Sequence, residues 1–187
     1  MIECINLSKS YGKEEVFRNF NYEFSGNFYL VIGPNGSGKT TLLNCIANYI
    51  RYSGSIKIDG KLSYLPEKRG FDDDFKVKDL INLLSKFYDT DASGYIKDFS
   101  LSQHMDKTIS ELSKGSKTKL YIICTLLKPA STYIFDEPTD GLDLEMNARF
   151  RKFCTNLALK KQIIVSTRDL GFIDRLIDNA TMLDLLK

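Results

Sequence analysis

At 187 residues with 43% hydrophobic content, the chain is long enough for one domain with a sizeable core. Its 26 basic and 24 acidic residues give a formal charge of +2, without the excess typical of nucleic-acid binding, so we expect no nucleic-acid partner. No apolar run reaches the roughly 18 residues that span a bilayer. This predicts a protein that is soluble and intracellular, or that sits on a membrane only through a partner. The four scattered cysteines have apolar neighbours and are expected to be buried, reduced thiols.

In the N-terminal third, the stretches ECINLSKSY and VFRNFNYEF are rich in β-forming residues and predict two strands. Residues 27–33 form an apolar run that meets a glycine-rich turn, and residues 39–50 carry apolar side chains at helical spacing. This order predicts strand, loop and helix. Residues 53–67 alternate around glycines and predict short strands joined as a hairpin.

Further along, apolar positions from 77 to 88 follow the i, i+3, i+4, i+7 rule and predict an amphipathic helix within a polar region, so residues 68–110 are a candidate helical subdomain. A second helix should begin near Ser113 and end before Pro129. The remaining predicted elements are a strand at 132–135, a helix at 144–161, a strand at 162–165, a helix at 172–177 and a strand at 181–185. The alternation predicts an α/β fold with a largely parallel sheet, residues 1–187 forming one domain.

The sequence GPNGSGKTT, from Gly33 to Thr41, satisfies the pattern G-x-x-x-x-G-K-[ST]. Glycines let consecutive backbone N–H groups curl around phosphate oxygens, Lys39 adds a positive charge, and the Thr40 hydroxyl can ligate Mg²⁺. The position between a predicted strand and helix makes a simple glycine turn a poor explanation. We therefore expect a nucleotide-phosphate site here.

Two acids end the apolar strand in STYIFDEP. A parallel strand beside the phosphate loop would place Asp136 near the magnesium and Glu137 beyond it, as a base for the attacking water. Adjacent acids at a strand end are often only a solvated turn, but the phosphate loop favours the catalytic interpretation.

The segment LSKGS at 112–116, followed by a helix, the DEP strand and TDGLD at 139–143, resembles the nucleotide-binding subunit of ABC transporters over nearly the whole chain. The resemblance implies a P-loop NTPase core with an N-terminal antiparallel β subdomain and a small helical subdomain. It also implies ATP and Mg²⁺ as ligands, bound between two subunits.

The resemblance assigns roles residue by residue. Tyr11 matches the aromatic residue that stacks on adenine, and Asp143 matches an acid of a loop that crosses the dimer interface. Ser113 and Gly115 match the signature that closes over the γ-phosphate of the opposite protomer. Asp136, Thr40 and Glu67 are the implied magnesium ligands. The implied phosphate-binding positions are Gly33, Pro34, Asn35, Gly36, Ser37, Gly38, Lys39, Thr40 and Thr41.

Two positions depart from the common family pattern. Glu67, in KLSYLPEKRG, stands where the family usually has a glutamine; a carboxylate can accept from magnesium-bound water but cannot donate a hydrogen bond. Together with the LSKG form of the signature, Glu67 resembles exporter-type members. An ordinary surface acid is the alternative.

Arg168 is the second departure, because the family normally ends this strand S-T-H-D and the sequence here is S-T-R-D. Arg168 could contact the γ-phosphate as an arginine finger, mark a site that hydrolyses ATP slowly, or be an exposed turn residue. His104 lies before the signature in a polar connector, where we expect a solvated or capping role.

We therefore predict an ATP-hydrolysing subunit of an ABC transporter, exporter-like, that forms a homodimer or heterodimer around two ATP molecules. It would drive a separate transmembrane partner from the cytoplasmic face of the membrane. A non-transport ABC ATPase, such as a soluble assembly factor, and a regulator with slow turnover are the alternatives.

Overall fold

The computed structural model describes residues 1–68 and 70–185, which form a mixed α/β structure. The strands are β1 (Ile2–Tyr11), β2 (Glu14–Phe24), β3 (Phe28–Ile32), β4 (Ser53–Ile58), β5 (Leu62–Leu65), β6 (Thr132–Asp136), β7 (Gln162–Ser166) and β8 (Thr181–Asp184). The helices are α1 (Lys39–Ile46), α2 (Val77–Tyr88), α3 (Ser93–Asp98), α4 (Lys114–Leu127), α5 (Leu144–Ala158) and α6 (Leu170–Asp174), with a short 3₁₀ turn at Ser102–His104.

The strands form two sheets. One is antiparallel, in the order β2-β1-β4, and the other is parallel, in the order β5-β6-β7-β3-β8. Strands β6 and β7 are buried along their whole length, as expected for parallel strands covered on both faces. The predicted α/β class with a largely parallel sheet and a separate antiparallel sheet is confirmed.

The register of the parallel sheet brings three loops to one edge. Ser166 at the end of β7 pairs with Asp136 at the end of β6 and with Val31 of β3, which runs directly into the glycine-rich loop. Because all three strands point the same way, the loops that follow them open at the same edge, where ligands of parallel α/β sheets bind.

The predicted hairpin at 53–67 is wrong. Strand β4 pairs with β1, where Ile58 faces Ile2, whereas β5 pairs in parallel with β6, where Leu65 faces Phe135. The turn between β4 and β5 therefore passes the chain from one sheet to the other. Alternating short strands look alike in sequence whether they pair with each other or with distant strands.

Helix ends are the other differences. Helix α1 ends at Ile46 rather than near residue 50, because Asn48 adopts the left-handed region (φ 58°) and breaks the helical path. Helix α5 ends at Ala158 rather than 161, and α6 begins at Leu170, where the side chain of Asp169 accepts from the Phe172 N–H.

Residues 70–110 contribute α2, α3 and the 3₁₀ turn, and the buried face of α2 joins the core that also contains α4. The bounds of α2 agree with the predicted helix at 77–88; the division into a domain and a helical subdomain stays a prediction. All four cysteines are buried and free, as expected. Among the described residues, no helix has the length and apolar character needed to cross a membrane.

Candidate nucleotide-binding site

A cavity of about 400 Å³ opens at the edge where the glycine-rich loop, β6 and β7 end. Its walls come from the N-terminal sheet, the loop, the segment after β5, and the ends of β6 and β7. The lining residues are Tyr11, Glu14, Val16, Asn35, Gly36, Ser37, Gly38, Lys39, Thr40, Thr41, Glu67, Glu137 and Arg168. Most of the predicted site residues are thus brought together in one place.

The glycine-rich loop presents its polar groups to this cavity. Gly38 precedes α1 with φ +99°, and a Cβ there would lie 2.8 Å from Val16 Cγ1, so only glycine fits. Lys39 reaches back over the loop and donates to the carbonyl oxygens of Gly33 (2.8 Å) and Pro34 (3.1 Å). Ser37 Oγ is buried without a hydrogen-bond partner among the described residues. A helix N-terminus, a buried ammonium and an unsatisfied hydroxyl together suit a phosphate group.

Asp136 is fully buried at the end of β6, beneath the cavity. Its carboxylate accepts from Ser166 Oγ and from the Tyr64 hydroxyl at 3.3 Å. Burial raises the pKa of Asp136, while the hydrogen bonds from Ser166, Thr40 and Tyr64 lower it. The Thr40 hydroxyl also donates to Glu67 Oε2 at 3.3 Å. Oxygens of Thr40, Glu67 and Asp136 therefore lie close together, the ligand type that Mg²⁺ prefers.

Glu137 is held between two cations. Its backbone is left-handed (φ 45°), which is unusual for a non-glycine residue, and its N–H donates to Ser166 Oγ at 2.9 Å. Its Oε1 lies 3.8 Å from Lys39 Nζ, and its carboxylate accepts from the backbone N–H of Arg168. Burial raises the pKa of Glu137, and the charges of Lys39 and Arg168 lower it. The turn thus aims a carboxylate into the cavity.

Arg168 follows β7 and is exposed at the cavity mouth. Its Nη1 donates to Asn35 Oδ1 of the glycine-rich loop at 3.1 Å. A permanently charged group therefore bridges from the end of β7 to the loop that suits phosphate.

Tyr11, at the end of β1, lines the cavity and is 50% exposed. Lys9 Nζ lies 4.7 Å from the centroid of its ring, a cation–π distance. Tyr11 lines the cavity, and Lys9 does not.

The signature residues lie outside this cavity. Ser113 caps α4 by accepting from the Ser116 N–H, and Asp143 caps α5 by accepting from the Met146 N–H at 2.7 Å. Neither Ser113 nor Gly115 is among the described residues that line the cavity. Within one copy of the chain, the signature and the glycine-rich loop therefore do not share a site.

The signature is instead joined to the TDGLD segment of its own chain. Lys114 Nζ pairs with the Asp140 carboxylate at 2.8 Å, and Thr118 Oγ1 donates to the Asp140 carbonyl oxygen at 3.0 Å. A Cβ on Gly115 would lie 2.5 Å from the Gly141 carbonyl oxygen, so this close approach requires glycine. These contacts hold the two segments as one unit.

Sequence reasoning missed several residues of the site. Glu14 and Val16 line the cavity from β2, and Ser166 bonds both acids at the end of β6, the side chain of Asp136 and the backbone N–H of Glu137. The sequence signal that could have identified Ser166 is its position at the end of a predicted parallel strand. His104, expected in a solvated or capping role, is half-buried, and its ring contacts Ser116 Oγ in the first turn of α4 at 3.3 Å.

The family model described as ABC transporter matches residues 18–140. An ABC transporter ATP-binding protein of Methanocaldococcus jannaschii is 32% identical over 192 residues, which cover 97% of this chain and 73% of that protein. The zinc import ATP-binding protein ZnuC of Rickettsia conorii is 31% identical over 172 residues, covering 88% of this chain and 74% of that protein. A dimeric bacterial ABC transporter cassette has the same fold, with a TM-score of 0.85 and 20% identity over 99% of this chain and 95% of that one. Since the family model covers most of the chain and a relative above 30% identity matches nearly all of it, the chain belongs to the ABC transporter family as an ATP-binding subunit, in a family of ATPases that hydrolyse ATP.

Proposed function

We propose that two copies of this subunit, or this subunit and a related one, enclose two ATP molecules and drive a transmembrane partner at the cytoplasmic face of a membrane. The observation that carries this proposal is that one chain holds the glycine-rich loop and the signature in different places. The cavity gathers the glycine-rich loop and Glu137, whereas the signature serine lies outside it in the same chain. A second copy would supply the signature to the first.

In each cavity, Tyr11 would stack on the adenine and the loop from Gly33 to Thr41 would bind the phosphates. Support comes from the exposed Tyr11 ring and the α1 N-terminus, which line the same cavity. Mg²⁺, held by oxygens of Thr40, Glu67 and Asp136 together with phosphate oxygens, would neutralise charge on the phosphates.

Hydrolysis would use Glu137 as the general base. Its carboxylate lies in the cavity and is oriented by the backbone N–H of Arg168. The guanidinium of Arg168 would contact the γ-phosphate in place of the usual imidazole, since it already bonds Asn35 in the phosphate loop. Of the three interpretations of Arg168, this contact best suits its position at the cavity mouth.

The transmembrane partner would dock in a second cavity, of about 670 Å³, between α1, β5 and the helical region. Exposed or half-buried aromatic rings of Tyr49, Phe71 and Tyr88 line this cavity. This cavity is lined by residues on both sides of Glu67, and Glu67 itself lines the nucleotide cavity. Docking of the partner there would therefore act on the nucleotide through this segment. Aromatic side chains at an open, partly apolar groove are typical of protein interfaces.

The expected export direction finds no support among the relatives, which include a zinc import ATP-binding protein and a manganese transport ATP-binding protein. We propose instead that the transporter carries a divalent metal ion inward. With ATP enclosed on the side of the ATP-binding subunits, proteoliposomes containing the co-purified membrane partner should move ⁶⁵Zn²⁺ or ⁵⁴Mn²⁺ toward that side. ATP-driven movement of the ions away from the side of the ATP-binding subunits would refute the direction.

The dimer is tested with a Glu137→Gln variant, in which slow hydrolysis allows the ATP-bound state to accumulate. Sedimentation velocity should give a monomer without nucleotide and a dimer with Mg²⁺-ATP. Lys39→Ala on the same background serves as the matched control, because it removes a phosphate contact without touching the signature. A monomer under all conditions would refute the proposal, and co-purification only with soluble proteins would favour a non-transport ATPase.

A further inference from the structure

His104 is a polar side chain that the nucleotide cavity does not use. It ends the 3₁₀ turn Ser102–His104, is half-buried and is the only histidine of the sequence. Its Nδ1 is buried and has no hydrogen-bond partner within residues 1–68 and 70–185. A buried, unsatisfied ring nitrogen has an energetic cost, so the position of this ring requires a reason.

The other ring nitrogen begins a chain of contacts. His104 Nε2 lies 3.3 Å from Ser116 Oγ and 3.4 Å from Gln103 Nε2, and the Ser113 hydroxyl donates to Ser116 Oγ at 3.1 Å. Ser113 Oγ in turn accepts from the Ser116 N–H at 3.2 Å. Three side chains therefore connect a half-buried imidazole to the serine at the N-terminus of α4.

We propose that His104 is a positioning residue that orients the Ser113 hydroxyl toward the γ-phosphate of ATP bound by a second copy of the chain. The inference rests on the proposed dimer. It adds to that dimer a residue that does not touch ATP but sets the orientation of the signature serine. It gives Ser116 a role as the link between the imidazole and the phosphate-facing hydroxyl.

The physical reason is that each hydroxyl has a single proton to donate. When the Ser116 hydroxyl donates to His104 Nε2, Ser116 Oγ accepts the hydrogen bond from the Ser113 hydroxyl. The Ser113 proton is then not available to the phosphate. When Nε2 carries a proton and donates to Ser116, the Ser116 hydroxyl can donate to Ser113 Oγ. Ser113 then accepts twice, and its own proton is available to the phosphate.

An imidazole allows both directions, because Nε2 is an acceptor in one tautomer and a donor in the other. Burial, with the charges of Lys107, three residues after the 3₁₀ turn, and Lys119 on α4, lowers the pKa of His104. The ring is therefore neutral at pH 7 and becomes a fixed donor only in acid.

The test compares dimerisation on the Glu137→Gln background with saturating Mg²⁺-ATP. His104→Leu should raise the dimer dissociation constant by about 3- to 10-fold, the effect of one net hydrogen bond. His104→Gln, whose amide can also donate or accept, should stay within about twofold of the parent. Ser102→Ala, on the same 3₁₀ turn but outside the chain of contacts, is the matched control.

A second readout separates positioning from folding. Binding of a fluorescent ATP analogue to dilute monomer should be equal in all variants, because the cavity lies elsewhere. An equal dimer dissociation constant for His104→Leu and the parent would overturn the inference. A loss of ATP-analogue binding by the monomer as large as the loss of dimerisation would also overturn it. If His104→Leu does not fold, Ser116→Ala must show the same weakening. A parent that stays monomeric with ATP refutes the dimer itself and the inference with it.

Discussion

Replacing Arg168 by alanine tests whether its guanidinium serves the reaction. A hydrogen bond to a charged group contributes about 1.5–3 kcal/mol, and loss of one at the transition state lowers kcat/KM by about 10- to 150-fold. The exposure of Arg168 at the cavity mouth favours the lower end, about 10-fold, because water screens an exposed charge. Orientation of Glu137 should survive, since it depends on the backbone N–H of Arg168.

Steady-state ATPase measurements of the parent, Arg168→Ala and Arg168→His provide the assay. Arg175→Ala, an exposed arginine just after α6 and outside the cavity, should match the parent. Unchanged turnover in both Arg168 variants would refute a catalytic role. A faster histidine variant would indicate that Arg168 marks a weakened site.

Four other changes have defined outcomes. Glu137→Gln should slow single-turnover hydrolysis by about 10²–10⁴ and leave ATP binding intact, if Glu137 is the general base. Tyr11→Ala should weaken binding of a fluorescent ATP analogue by about fivefold, whereas Tyr11→Phe should not. Gly115→Ala places a Cβ 2.5 Å from the Gly141 carbonyl oxygen, so dimerisation with ATP should fall while monomer ATP binding persists. As the pH falls below 6.5, the dimer affinity of the Glu137→Gln parent should rise when His104 becomes charged, because its pKa is lowered from 6.5, whereas the dimer affinity of the His104→Gln variant should not change.

The phosphate loop and the acid pair were predictable because their signals are local. A strand, a glycine turn and a helix follow one another between residues 27 and 46, and the neighbouring strand ends at Asp136. Parallel strands then bring their carboxyl ends to one edge without further information. The amphipathic helix at 77–88 was equally predictable, because its apolar residues recur every three or four positions within one short segment.

The failures involve contacts between distant residues. The partner of β4 is β1, about 50 residues earlier, and alternation of side chains does not identify it. The neighbour of His104 lies 12 residues later, on a helix whose rotation sets which serine faces the ring. The left-handed backbone of Glu137 was also hidden, since glutamate has no preference for that region.

The two halves of the proposed site differ in how they can respond to pH. On the side of the phosphate loop, Arg168 stands where the family has a histidine, and a guanidinium keeps its proton in the pH range in which an imidazole titrates. The only imidazole of the chain contacts the signature helix instead, through Ser116. Protonation of His104 in acid would therefore change closure of the dimer rather than the binding of ATP by one subunit. ATP binding by the monomer and ATP-driven dimerisation should then show different pH profiles. A histidine beside the γ-phosphate would instead change both with the same pH dependence.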